Sequence, residues 1–596
     1  MRIVIATVAR PRFFGKRTIH RAVASRIRQA LEQPPWGASG TTRRDGWLAP
    51  SGSVRIDAVS NERADVPLII RYPGGSATAR IGYTDDGAFA TNRPTPSAVA
   101  DLSGCFALIT AADHKAIGFT SVHRIEPLYV AEGRNVLVLS NSARAAHCVA
   151  QLPDDQPPLA ALIGLSGPGF MINDETPFAG VTAVPADAYV TLTSTGISTR
   201  NLPAPDVDRD SSLDRVVDHL TEALISSAQT IAGTPWQRTV HLTGGKDSRL
   251  AAIVLTHAGV DYAATTTGVP SHPDAIIASR VAELLGAEHR IAPPVGTVGD
   301  GDAVEVWPER RAYAVLRGCE GMLSAYETIN LHGRYRDGSV SLGGHGGELL
   351  RGGYAYGIPP APAPQILRRL SWAIEPHRNL LSEHACAELD RIAQPWRELM
   401  ASDPHGGSEL LYRVLRTGRW HAVANSTYSI RGPRRSLLAD NGVVRIVSAA
   451  RQDLAAEERI VHAVIHRLRP DVCTLPLYPK RWNFEKTKPT VDCDATSWTS
   501  RTPPDADVRQ AWNWKVSYTS DMHKYFTEVI LDAPLFDVLL DRPRVERFLA
   551  DTSENRNTAM ATRVWNLYTV SQLISGLGSR VTEPDGPSFR MPIPKA

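Results

Sequence analysis

HLTGGKDSRLAAIVL, residues 241–255, reads as a short buried strand that runs into a Gly-Gly turn and straight out into a helix. Gly244 and Gly245 let the backbone turn tightly and approach a ligand closely. The pattern predicts a helix beginning at about Asp247–Ser248, so its unpaired N–H groups and the positive end of its dipole face the turn. A phosphate or pyrophosphate is the natural occupant of such a turn. Ser248 adds a hydroxyl donor, and Asp247 a hard oxygen ligand suited to Mg2+ bridging phosphates. The spacing is not that of the GxxxxGK[ST] loop. The plainer alternative is an ordinary strand-to-helix turn with an Asp cap. Lys246 and Arg249 flank the turn, where they screen its charge.

On either side of this segment the grammar repeats. Leu213, Val216, Val217, Leu220 and Leu224 share one helical face, with Ser211 or Ser212 as N-cap. RTVHLT (238–243) and DYAATTTG (261–268) read as strands, and Asp274–Leu285 as a helix ending at Gly286, with Asp274 starting it in a structural role. Strand, turn, helix, strand, helix predicts a doubly wound α/β domain with a parallel sheet. Thr266 and Thr267 close the second strand; they either hydrogen-bond an adenosine or are ordinary strand threonines. NLPAPDVDRDSS (201–212) reads as a linker. Before it, VPLIIRYPGG, LSGCFALITAADHKAIGFTS, EPLYVAEGRNVLVLSNS and VPADAYVTLTSTG are strand–turn–strand patterns of a layered β or α+β domain. The opening MRIVIATVARPRFF suits a signal segment or, given its short β-branched run, a first strand; the strand is preferred. From about 360 onward the pattern is largely helical, with Pro-rich interruptions at 359–364 and 503–504.

Composition narrows the function classes. The 596 residues carry 65 Lys+Arg against 62 Asp+Glu, a net +3 that gives no electrostatic reason for a nucleic-acid or membrane-surface partner. Arg431, Arg434 and Arg435 form a local cluster, either an anion site or a solvated loop. The six cysteines lie far apart with no CxxC pair, as in the reduced, packed thiols of a cytoplasmic protein. No apolar run approaches the roughly 20 residues of a membrane helix.

A second Gly-rich turn lies in SVSLGGHGGELLRGGYAYG (339–357). Together the two turns carry a resemblance. TGGKDS is similar to the SGGxDS motif of the pyrophosphatase-type ATP-binding fold, with Thr243 in place of the first Ser. The second segment resembles G-E-G-x-D-E-L-F-G-G-Y of asparagine synthetases, matching at Gly344, Gly346, Leu350, Gly352, Gly353 and Tyr354. Glu348 stands for the family's Asp and His345 for its Glu. A late RSLLADNGVV block (435–444) adds to it, and LSGCFAL (102–108), EPLYVAE (126–132) and FAGVTAVPADAYVTL (178–192) look like that family's N-terminal sandwich.

The resemblance implies an Ntn-hydrolase-like α+β sandwich over 1–202, followed over 211–596 by a doubly wound, pyrophosphatase-type synthetase domain with a helical C-terminal part. The family's glutaminase members use a cysteine directly after Met, and here position 2 is Arg. Glutamine hydrolysis is therefore not expected, and the first domain would be structural or peptide-binding. Members without that cysteine include β-lactam synthetases and lasso peptide cyclases, and the TGGKDSR form and the length look most like the latter. The implied activity is ATP-dependent and AMP-forming: an Asp or Glu side chain of a precursor peptide is adenylated and joined to the peptide's N-terminal amine. Thr243, Gly244, Gly245, Asp247 and Ser248 would bind ATP, and Asp247 and Glu348 would hold Mg2+. His345 would be a general base, its ordinary pKa of about 6.5 suiting that role, or would hydrogen-bond its turn. In LPLYPKRWNFE (475–485), Lys480 falls where the family has an oxyanion-stabilising lysine, with Arg481 the alternative. A leader-binding protein and a leader peptidase are the implied partners. The rival readings are a small-molecule amide or β-lactam synthetase, an ammonia-dependent asparagine synthetase, and a nucleotide-binding scaffold without activity.

Overall fold

The computed structural model describes the chain except residues 11–15, 32–41, 63–66, 86, 88, 90, 155, 235, 293–302, 328, 330–337, 357–362, 487–512, 554–555 and 593–596. Cys493, Gly357, Pro503 and Pro504 thus lie outside the described residues.

The first strand is β1 (Arg2–Ala9), and all eight of its residues are buried. It lies between β9 (Val136–Ser140) and β3 (Val54–Ser60), antiparallel to both. The full order of this sheet is β10 (Val181–Ala183), β8 (Tyr129–Glu132), β9, β1, β3 and β2 (Arg43–Leu48). A second antiparallel sheet runs β12 (Gly196–Asn201), β11 (Ala188–Thr193), β7 (Lys115–Thr120), β6 (Gly104–Ala112), β5 (Ser76–Thr84) and β4 (Ile69–Tyr72). Period-two alternation explains the layering. Val4, Ala6 and Val8 meet Ala77, Ala79, Ala107 and Ile109 of the other sheet. Ile3 and Ile5 point the other way, into a core shared with helices Ala143–Ala150 and Leu159–Ser166. A strand buried on both faces needs a continuous apolar run, which is what RIVIATVA supplies.

Past β12 the chain enters helix Leu213–Ala232, capped by Ser212, whose hydroxyl accepts the Arg215 N–H. The third sheet is fully parallel, in the order β15 (His289–Ala292), β14 (Ala263–Thr267), β13 (Gln237–His241) and β17 (Ser339–Leu342). Helices Lys246–His257 and Pro273–Leu285 return the chain across it, the second ending at Gly286 with φ 65°. A short pair of β16 (Ala303–Val306) and β18 (Phe589–Pro592) closes the C-terminal region. The largest apolar cluster joins both ends of the chain, from Ile3 and Ile172 to Phe526, Trp565 and Met591. No helix among the described residues is long and apolar enough to cross a membrane. Of the cysteines described, Cys105, Cys319 and Cys473 are buried and none is disulfide-bonded.

The block 435–444 is tied to the sandwich through Asp440. Its carboxylate caps helix Asn441–Ala449 through the N–H groups of Gly442 and Val443, and also accepts Ser103 Oγ at 2.7 Å and Gly104 N at 2.5 Å. Burial nonetheless pushes this carboxyl up to about 6, with those four hydrogen bonds acting in the opposite sense. A raised acid binds its proton more tightly folded than unfolded, so this contribution to stability is present below about pH 4 and lost as pH rises through about 6. The loss is expected to be roughly 2 kcal/mol. Chemical denaturation between pH 4 and 7 checks it, since Asp440→Asn should remove that part of the slope.

Candidate active site

β13 and β17 are neighbours, and both carry their Gly-rich turn at the carboxyl end. From β13 the sheet extends one way to β14 and β15 and the other way to β17, so a topological switch point lies between the two turns. Crevices at such points are where open α/β sheets bind ligands.

The first turn is built as a helix N-terminus left open. Gly245 is the N-cap, extended at φ −79° and ψ 175°, with no side-chain cap bond, and the helix starts at Lys246. That is one residue earlier than the sequence pattern suggests, because a glycine cap leaves no side-chain signature. Asp274 does more than begin its own helix: its Oδ1 accepts the Gly244 N–H at 2.9 Å. Thr243 Oγ1 and Ser248 Oγ lie 2.9 Å apart, and Thr243 Oγ1 accepts the Gly245 N–H at 3.1 Å. Thr266 is buried and its hydroxyl is committed to the sheet, donating to Leu242 O at 2.8 Å beside His289 Nε2. Thr267 is exposed at the end of β14.

Asp247 does not cap its helix; it crosses to the second turn. Its Oδ2 accepts Arg351 Nη2 at 2.6 Å. Arg351 Nη1 reaches Glu458 Oε1 at 3.3 Å, and Glu458 Oε2 accepts Lys246 Nζ at 2.5 Å. Asp247, Arg351, Glu458 and Lys246 thus form one alternating chain of charge that ties the first turn to the second. Glu458 is fully buried and also accepts the Asn483 N–H at 2.7 Å. Tyr356 organises the cations: its ring centre lies 4.4 Å from Arg351 Cζ, 5.7 Å from Lys246 Nζ and 5.9 Å from Lys480 Nζ. Lys480 is therefore brought beside the second Gly-rich segment, while Arg481 contributes a backbone carbonyl to Lys246 at 2.8 Å. Arg249 lies under the turn, donating to the carbonyls of Leu475 and Pro476 at 3.2 and 2.6 Å, so it fixes the segment that presents Lys480.

Electrostatics follow from this packing. Burial pushes the Asp247 carboxyl up to about 6, and Glu348 adds to the rise while Arg351 opposes it. Burial brings Lys246 down to about 8 despite Glu458. Burial also works against the Arg351 charge, but Asp247, Glu458 and Glu348 outweigh it and hold the guanidinium above its ordinary value. His345 sits in a recess with His421, ring centres 5.4 Å apart, and desolvation with help from Arg434 lowers its imidazole. Its carbonyl accepts Ser436 Oγ at 2.6 Å. Arg434 and Arg435 are not a solvated loop; they stack on Tyr428 at 4.0 Å and Tyr83 at 4.3 Å and line the same recess.

Among the described residues no group of three or more His, Cys, Asp or Glu side chains is arranged to hold a metal. Mg2+ requires less: it is usually held by one or two carboxylates together with substrate phosphates. Asp247 and Glu348 fit that need, because Glu348 disfavours the Asp247 charge and a divalent cation relieves the repulsion. The two turns touch closely here. A Cβ on Gly347 would stand 2.1 Å from Asp247 Cγ. Gly347→Ala is expected to cost about 1–3 kcal/mol and to pull Asp247 off Arg351, weakening nucleotide binding; titration with MgATP alongside a melting curve checks both effects.

Arg351, Tyr356 and Glu458 were not evident as site residues in the sequence. Arg351 had a signal, being an Arg at the position where the asparagine-synthetase pattern carries Phe.

No protein-family model matches the chain, and the comparison with curated proteins gives no match. Among solved structures, it is similar to a glutamine phosphoribosylpyrophosphate amidotransferase from B. subtilis complexed with ADP and GMP, at 9% identity and a TM-score of 0.23 over 50% of this chain and 94% of that one. It is also similar to an allosteric regulatory enzyme of purine biosynthesis, at 10% identity and a TM-score of 0.21 over 49% of this chain and 80% of that one. Likenesses this slight carry no argument about fold or activity.

Proposed function

We propose that this chain is an ATP-dependent, AMP-forming amide synthetase that closes a macrolactam in a peptide, the chemistry of lasso peptide cyclisation. The observation that carries the reading is the meeting of two Gly-rich turns at the sheet's switch point, where Asp247 pairs with Arg351 under the influence of Glu348, and Lys246 and Lys480 approach the Tyr356 ring.

A carboxylate is a poor electrophile. Its oxygen attacks the α-phosphorus of ATP, the bond to the β-phosphate oxygen breaks, and pyrophosphate leaves with the electron pair. The open N–H groups after Gly245 and the Ser248 hydroxyl receive that departing charge. Asp247 and Glu348 would hold Mg2+, which supplies charge neutralisation on the phosphates. Lys480, which has no carboxylate partner among the described residues, supports the oxyanions of both steps. The peptide amine then attacks the acyl carbon and AMP leaves. Lowered as it is, His345 is neutral near pH 7 and able to take the amine's proton.

The region of residues 1–202 serves this reading as a support for substrate, with Arg2 of its buried first strand bonded to Glu62 at 2.7 Å. The test is incubation with MgATP and a linear peptide bearing a free N-terminal Gly and an Asp or Glu several residues later. Peptide-dependent AMP release with loss of one water from the peptide is expected. AMP with small amino acids or ammonia only would redirect the reading to a small-molecule synthetase. ATP binding without AMP from any of these would leave a nucleotide-binding scaffold.

A further inference from the structure

Residues Tyr412–His421 form a π-helix of ten residues. Its i→i+5 bonding is rare, is frequent at functional sites, and brings positions four and five apart onto one side. Tyr412, Arg416, Trp420 and His421 have that spacing, and this side borders the second Gly-rich turn. Gly353 lies against Tyr412 so closely that a Cβ would stand 2.5 Å from the tyrosine's own. The Tyr412 and Tyr354 rings meet edge-on at 5.0 Å, and His421 faces His345 at 5.4 Å.

Arg416 is the odd member of this wall. Its guanidinium lies 3.5 Å from the centre of the Trp420 ring, with the Phe170 ring at 5.8 Å. The indole beneath it is fixed, because Trp420 Nε1 donates to Glu327 Oε1 at 2.8 Å. Arg416 is half-buried, and no carboxylate pairs with it among the described residues. Of the other cations nearby, Lys246 and Arg351 are paired with Glu458 and Asp247, Arg434 lies on Tyr428 in a recess that also holds Glu126, and Lys480 lies beside Tyr356. A guanidinium held flat on an indole presents a planar fork matched to a carboxylate. An incoming acid substrate needs such a group, since Asp247 and Glu348 repel it from the phosphate turn.

We propose that Arg416, oriented by Trp420 and Glu327, is the docking group for the carboxylate of the acyl substrate. This assignment rests on the amide-synthetase reading and deepens it. The test measures binding, without ATP, of a fluorescent linear peptide with N-terminal Gly and a downstream Glu, against the same peptide with Gln. The wild type should prefer Glu by about tenfold or more, as for a charged hydrogen-bonded pair. In Arg416→Gln the preference should fall to about one while the Kd for MgATP stays within about twofold, and Arg416→Lys should keep part of it. An unchanged Glu-over-Gln ratio in Arg416→Gln with ATP binding intact, or no ratio in the wild type, overturns the assignment. If the wild type still releases AMP with the Glu peptide, only Arg416's role falls. Neither binding nor AMP release by the wild type overturns the function and the docking role together.

Discussion

Glu458→Ala should be the most destabilising single change in this region, costing about 3–5 kcal/mol. The carboxylate is fully buried and holds Lys246 at 2.5 Å, Arg351 at 3.3 Å and the Asn483 N–H at 2.7 Å. Its removal leaves the buried Lys246 ammonium with the Arg481 carbonyl and Arg351 with Asp247, and the undercompensated charge dominates. Glu458→Gln keeps the shape but not the symmetry: one amide oxygen can serve one cation, and the amide N–H2 then faces the other. It should fall between wild type and alanine. Backbone conformation supplies an internal control. Glu458 has φ 68° and ψ 14°, the left-handed region that costs a residue with a Cβ about 1–2 kcal/mol. Glu458→Gly loses the same carboxylate but relieves that cost, so it should be more stable than Glu458→Ala by about 1 kcal/mol. Denaturant midpoints of the three variants test the order. Alanine as stable as glycine would mean that the left-handed backbone carries no strain, and neither losing stability would mean that the ion pairs contribute nothing.

How much of this was legible in the sequence depends on the range of each interaction. The first turn was, because Gly-Gly, Asp and Ser lie within a few residues of one another and the physics of a helix N-terminus is local. Hairpins such as β6–β7 and β8–β9 were also legible, each being two apolar runs around a polar turn. The sheet order was not: β1 is flanked by β3 and β9, and nothing local in RIVIATVA names either partner. Glu458 is the clearest case of concealment. It lies 212 residues from Lys246, at the front of helix Arg459–Leu468, where an acid looks like an ordinary favourable first-turn charge. Arg416 was hidden differently, since α- and π-helices differ only in which carbonyl each N–H meets. Lys480 was placed by resemblance alone, and the geometry that brings it to Tyr356 runs through Arg249, whose bonds to Leu475 and Pro476 no spacing rule foretells.

Lys480→Ala should lower the rate of AMP formation by about 10²–10³ while leaving stability almost unchanged, within about 0.5 kcal/mol. The two halves of this expectation have separate causes. Lys480 is exposed and has no carboxylate partner among the described residues, so folding gains little from it. Its neighbours, by contrast, are anchored on both sides: the Tyr478 N–H donates to Gly244 O at 3.1 Å, and the Asn483 N–H donates to Glu458 at 2.7 Å. A free ammonium on a fixed frame costs no reorganisation when charge develops beside it, which is the condition for large electrostatic catalysis. The loss should fall on kcat more than on the KM for ATP, because the ground-state phosphates keep the helix N-terminus while the developing oxyanions lose their cation. Lys480→Arg should recover part of the rate, since charge is kept but the compact ammonium is replaced by a broader fork. A KM effect alone would reassign Lys480 to ground-state binding of ATP. An effect of only a few-fold on both constants would reduce it to a screening charge and hand the oxyanion role to Lys246 and Arg351, whose charges Glu458 and Asp247 already hold in place.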